Sequence, residues 1–140
     1  MRISARNVLE GTVQNVTKGA VHAEVTIALA SGQLVTAIIT NSGVDSLGLK
    51  VGIPAYGIIK ASEVIVGKDV DGSKLSARNV LDGEVANLLD GAVSSEVSIA
   101  LKGGAAVVAS ITKESVKRLG LQVGDRVSAI VKASSVMIGV

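Results

Sequence analysis

Ser4-Ala5-Arg6-Asn7-Val8-Leu9 returns unchanged as Ser76-Ala77-Arg78-Asn79-Val80-Leu81, 72 positions later in a chain of 140 residues. At that offset the sequence aligns with itself without a gap: Gly19-Ala20-Val21 matches Gly91-Ala92-Val93, Ile27-Ala28-Leu29 matches Ile99-Ala100-Leu101, and Lys60-Ala61-Ser62 matches Lys132-Ala133-Ser134. About half of the paired positions between Ser4 and Gly67 are identical. Self-similarity of this kind sets the architecture before any local pattern is weighed. The repeat predicts one domain over 1–68, a polar linker over 69–73 and a second domain over 74–140.

Inside each copy the dominant period is two. Val21, Ala23, Val25, Ile27 and Leu29 alternate with His22, Glu24, Thr26 and Ala28, as Val93, Ser95, Val97, Ile99 and Leu101 do in the second copy, which is the pattern of a half-buried strand. Val8 to Val16 precedes it across a turn at Thr17-Lys18-Gly19-Ala20, predicting a hairpin. Gln33 to Thr40, Ala55 to Ala61 and Val64 to Val66 read as three further strands. Pro54 suits a strand start, where its missing N–H is not needed. Asn41 to Leu47 and Lys113 to Leu119 each read as a short helical insert stopped by a glycine, Gly48 or Gly120. The expected fold is all-β: two tandem five-stranded small barrels of the OB type, each with a short helical insert.

Composition narrows the function. The chain is 48% hydrophobic and 19% charged, too apolar for disorder. It has no Cys, Trp or Phe and one Tyr, so the core must be built from Val, Ile, Leu and Ala. A domain of about 70 residues buries only ~60% of its unfolded surface, and aromatics are absent from the filling. With no disulfide or structural metal available, repeat-on-repeat packing and oligomerisation are the remaining supports. With His22 as the one imidazole, thiol and cation-metal centres lack ligands. The net charge of +2 and the lack of stacking rings argue against nucleic-acid binding. No apolar run is long enough for a bilayer span and the N-terminal stretch lacks the apolar core of a signal peptide, so a cytoplasmic location is expected. Asn15-Val16-Thr17, a formal glycosylation acceptor, carries no weight there.

Nothing points to catalysis. Ser94 stands where the first copy has His22, no phosphate-loop signature occurs, and the matched Glu24 and Glu96 read as exposed strand carboxylates rather than an acid/base pair. Ser-Ala-Arg-Asn and Lys-Ala-Ser are different. Together they offer hydroxyls, a guanidinium, an ammonium and backbone N–H groups, with no acidic residue inside either motif, although Glu63 follows the first Lys-Ala-Ser. A positive, donor-only lining suits a fully deprotonated tetrahedral oxyanion and disfavours hydrogen phosphate, whose proton finds no acceptor. The competing reading makes Ser-Ala-Arg-Asn a strand lead-in and Lys60 and Lys132 solvated charges.

These motifs, with Gly11 and Val13, Glu24-Val25, Ile39-Thr40, Leu47-Gly48-Leu49 and the spacing of Lys-Ala-Ser-x-Val, resemble the molybdate-binding Mop (TOBE-like) domain over nearly the whole chain, twice. The tandem resembles the two-domain molbindins. The resemblance implies noncatalytic binding of molybdate or tungstate for intracellular molybdenum storage and homeostasis, with no cofactor, nucleic-acid or membrane partner, and a homotrimer binding anions where subunits and domains meet. Carried over, the ligands are Ser4, Ala5, Arg6, Lys60, Ala61 and Ser62 in the first copy, and Ser76, Ala77, Arg78, Lys132, Ala133 and Ser134 in the second. Asn7 and Asn79 hold the loop. A second, axial class of site has one candidate at Lys18-Gly19, whose equivalent Asp90 would repel an anion, and a third element, the helical insert, carries Ser42 in one copy and Ser115 in the other, so that a serine contact there would make the repeats bind unequally. A partner-dependent molybdate sensor is the alternative role, and an oligonucleotide-binding barrel a third, since fold does not fix function.

Overall fold

A computed structural model describes residues 1–140. The first repeat forms β1 (Asn7–Lys18), β2 (His22–Leu29), β3 (Leu34–Thr40), α1 (Asn41–Leu47), β4 (Pro54–Ile59) and β5 (Ile65–Gly67). The second forms β6 (Asn79–Asp90), β7 (Ser94–Leu101), β8 (Ala106–Thr112), α2 (Lys113–Leu119), β9 (Arg126–Val131) and β10 (Met137–Gly139). Single 3-10 turns stand at Ala61–Glu63, Gly72–Lys74 and Ala133–Ser135. Lys-Ala-Ser therefore occupies the turn before the last strand, not the strand itself, because the ladder of β4 ends at Ile59.

Both long strands serve two partners. β1 pairs with β4 through Asn7–Thr12 and with β2 through Gly11–Lys18, with a register irregularity between Val13 and Asn15. β6 repeats this, its irregularity lying between Val85 and Asn87. Such a bulge bends a strand and strengthens its twist, which lets twelve residues wrap from one neighbour to the next. Each helix starts on a threonine that caps it: the Thr40 Oγ1 accepts from Gly43 N at 3.1 Å and Thr112 Oγ1 from Ser115 N at 3.1 Å. Each stops at a left-handed glycine, Gly48 (φ 62) or Gly120 (φ 60).

The last strand of each repeat is exchanged. The two five-stranded sheets have the orders β10-β4-β1-β2-β3 and β5-β9-β6-β7-β8. Thus β5 leaves its own repeat to pair with β9, Ile65 opposite Ile130, and β10 pairs with β4, Met137 opposite Ile58. The physical reason lies in the core. Twenty-six buried aliphatic residues from both repeats form one cluster, including Ile27, Ile59 and Val35 from the first and Ile99, Val131 and Val107 from the second. Val64 and Val136, at the crossover points, are buried in it. Pooling two small aliphatic layers into one core supplies the burial that neither repeat reaches alone.

The alternation in β2 and β7 buries Ala23, Val25, Ile27 and Leu29, and Ser95, Val97, Ile99 and Leu101. Val21 and Val93 depart from the expected pattern. They precede their strands and are 64% and 79% exposed, since the turn has not yet entered the ladder that fixes the inward face.

Candidate functional site

The ladder of β1 with β4 ends at Asn7 opposite Ile59, and that of β6 with β9 at Asn79 opposite Val131. Antiparallel register then sends Ser4-Ala5-Arg6 and Lys60-Ala61-Ser62 off the same end of the sheet as neighbouring extensions. Ser76-Ala77-Arg78 and Lys132-Ala133-Ser134 do the same in the second copy. Pairing thus brings together the two motifs of each repeat, which lie more than fifty residues apart in sequence.

Each assembled pair rests on the other repeat. Asn7 Nδ2 donates to Val108 O at 2.8 Å while its Oδ1 accepts from Val108 N at 2.7 Å. Asn79 binds Thr36 in the same way, both contacts at 2.8 Å. An asparagine side chain carries the donor and acceptor of a peptide unit, so each buried amide acts as one more residue of ladder against the edge strand β8 or β3. The turns at Ala61–Glu63 and Ala133–Ser135 pack against β8 and β3 as well.

The arginines make a contact that strand patterning did not show. Arg6 Nη1 lies 2.5 Å from Glu96 Oε1, and Arg78 Nη2 lies 2.5 Å from Glu24 Oε1, both across the repeat boundary. The hydrogen bond and charge of Glu24 raise the pKa of Arg78. Each contact engages one terminal nitrogen and leaves other guanidinium donors for a ligand. Glu24 and Glu96 are therefore parts of the site's surroundings. The signal in the sequence was their retention at matched positions together with the matched arginines.

The remaining donors are open. Ser4, Ser62, Ser76 and Ser134 and the ammonium groups of Lys60 and Lys132 are exposed, and neither lysine is in an ion pair. Ala5, Ala61 and Ala77 are half-buried and Ala133 is buried. The turns bond Glu63 N to Lys60 O and Ser135 N to Lys132 O, each at 2.9 Å, so the first N–H groups of the turn have no partner within it. Chemically this is a shallow surface of hydroxyl, ammonium, guanidinium and amide donors, bordered by the carboxylates of Glu24 and Glu96 that the arginines hold.

The candidates for a second site are engaged elsewhere. Lys18 pairs with Asp45 at 2.5 Å, while Asp90 accepts from Ser95 Oγ at 2.7 Å. Ser42 and Ser115 hydroxyls bond the capping threonines at 3.1 and 2.8 Å. His22 is exposed at the head of β2, and no group of three or more His, Cys, Asp or Glu side chains is placed to hold a metal ion. A groove of about 660 Å³, lined by none of the motif residues, lies between Asp69, Asp82, Glu84, Lys102 and Arg126. Its counterparts in the first repeat include Glu10, Thr12, Ala30 and Pro54, so it is not a repeated site. No helix is long and apolar enough to cross a membrane.

The TOBE domain model matches residues 3–66 and again 75–138. The chain belongs to the TOBE domain family. It is 41% identical over 138 residues to the molybdenum-pterin-binding protein MopA of Rhodobacter capsulatus, covering 99% of this chain and 52% of MopA. To the molybdenum transport protein ModE of Herbaspirillum seropedicae it is 39% identical over 140 residues, again 52% of that protein. The chain thus spans about half the length of these curated relatives. Among solved structures it is similar to the cytoplasmic molybdate-binding protein ModG in a molybdate-bound form, with a TM-score of 0.96, 45% identity, and coverage of 100% of this chain and 99% of that one. The two TOBE repeats therefore share both their order and their mutual arrangement with that protein.

Proposed function

We propose that this chain binds molybdate, and tungstate as its near-isostere, without catalysis, as an intracellular store or buffer of molybdenum. The observation that carries this is the doubled donor cluster, Ser-Ala-Arg beside Lys-Ala-Ser, on a chain that matches a molybdate-bound structure end to end at 45% identity. The ligands are Ser4, Ala5, Arg6, Lys60, Ala61 and Ser62 with their equivalents Ser76, Ala77, Arg78, Lys132, Ala133 and Ser134, the alanines acting through backbone N–H. One set comes from each repeat, 1–68 and 74–140, with 69–73 between them.

Oligomerisation completes the proposal. The clusters are shallow, and apolar side chains such as Val8, Ile65, Leu89 and Met137 are 38%, 57%, 61% and 49% exposed. Exposed apolar surface on this scale marks contact surfaces. A cytoplasmic homotrimer covers it and encloses the anions where chains meet, with no nucleic-acid or membrane partner. Titration of the purified protein with molybdate, tungstate, sulfate and phosphate, with stoichiometry, tests the proposal. Preference for phosphate over molybdate defeats it. Lys60→Ala with Lys132→Ala is expected to weaken molybdate binding at least tenfold, the scale of losing charge-assisted contacts, while the sedimentation coefficient stays unchanged.

The likeness to half of ModE favours a second reading, a molybdate sensor that acts through a partner. Capture of a protein from lysate only when molybdate is present separates it from storage.

A further inference from the structure

We propose that Glu63 is a specificity-determining residue of the anion site, one that weakens dianion binding and admits protonated oxyanions. The inference rests on the function proposed above. Glu63 and Ser135 are equivalent residues of the two repeats, and their side chains meet, Ser135 Oγ donating to Glu63 Oε2 at 3.2 Å. Equivalent residues touch only where the pseudo-twofold axis passes between them. The two Lys-Ala-Ser turns therefore face each other across that axis, and a single carboxylate stands at their junction.

The consequence is electrostatic and chemical. Glu63 follows Ser62 directly and reaches the neighbour of Ser134, so it lies beside both anion motifs. It is exposed, and it is not in an ion pair with Lys60, Lys132 or any other cation. One carboxylate oxygen accepts from Ser135, leaving the other free. That oxygen repels molybdate and hydrogen phosphate alike as dianions, yet only hydrogen phosphate has a proton to donate to it, and unlike the carboxylates of Glu24 and Glu96 it is not already held by an arginine. The second repeat, with Ser135 at this position, brings no such group. One substitution between otherwise matched motifs thus reduces affinity for molybdate and narrows its margin over phosphate.

The test uses the full chain with Glu63→Ser, which makes the junction symmetric, and Glu63→Gln, which keeps the side-chain volume. Calorimetric titrations with molybdate and with inorganic phosphate at pH 7.5 are compared with the unmodified protein. A unit charge roughly 8 Å from a dianion in a well-hydrated setting corresponds to about a two- to sixfold change in affinity, the lower end at physiological salt, where screening acts over about the same distance. Both variants are expected to bind molybdate tighter by about that factor and to bind phosphate no tighter. Unchanged or weaker molybdate binding in both variants overturns the role of Glu63 while leaving molybdate binding intact. Failure of the unmodified chain to bind molybdate defeats the functional proposal and this inference with it.

Discussion

At the scale of single residues, the pair Asn7 and Asn79 links the fold to the site. Each follows an Arg of the donor motif and each ties that motif to the opposite repeat through two backbone contacts. Replacing Asn79 with Ala leaves the N–H and C=O of Thr36 without these partners in a buried position, at a cost of about 1–3 kcal/mol per group. Urea unfolding should show Asn79→Ala less stable by about 2–4 kcal/mol. Asn7→Ala should cost less, since its contacts with Val108 are partly open to water. Equal effects would mean that the first repeat's edge strand β3 is no better protected than β8 of the second. From the sequence these asparagines could be given a holding role from their place in the motif. That they hold the other repeat depended on contacts about 43 and 101 residues apart in sequence.

Among the elements, the long strands β1 and β6 impose the tightest requirement. A Cβ at Gly11 would stand 2.5 Å from Ala28 O, and one at Gly83 2.5 Å from Ala100 O. The obstruction is backbone of the paired strand and cannot swing aside, so the ladder itself must shift. Gly11→Ala and Gly83→Ala should each destabilise by about 1–3 kcal/mol or more in denaturant titration; a neutral outcome at either would show that the bulge absorbs the added atom. The exchanged strand β5 is held at its end by Lys68, whose Nζ donates to Leu119 O at 3.1 Å and Gly120 O at 3.3 Å at the C-terminus of α2, and lies 3.0 Å from Asp125 Oδ2. The Gln122 N–H, and then Lys68, hold the Asp125 pKa below its ordinary 3.8. A carboxyl depressed in the folded state stabilises above its unfolded pKa and loses that contribution as pH falls through the folded value. Asp125→Asn should therefore lower the Tm at pH 7, with the gap closing as pH falls below the ordinary value, as scanning calorimetry across pH would reveal. The strands and both helices were legible here because period-two alternation and glycine stops are local signals. Lys-Ala-Ser shifted from strand to turn because the end of a ladder is set by its partner.

For the whole molecule, sequence repeat and sheet do not coincide. A fragment of residues 1–68 carries β5 without β9 and β4 without β10, so it should associate into a strand-exchanged dimer or larger species in sedimentation equilibrium. A folded monomer would show that β5 can close its own sheet. The sequence alone determined the duplication, the strand and helix inventory, the aliphatic core and the donor motifs, because identity at a fixed offset and side-chain periodicity are written along the chain. Tertiary structure alone decided that the fifth strands cross over, that the arginines meet Glu24 and Glu96, and that Glu63 meets Ser135. Each of those depends on which surfaces come together when two cores too small to stand separately merge into one, and that choice is made by burial across the whole chain rather than by any local pattern.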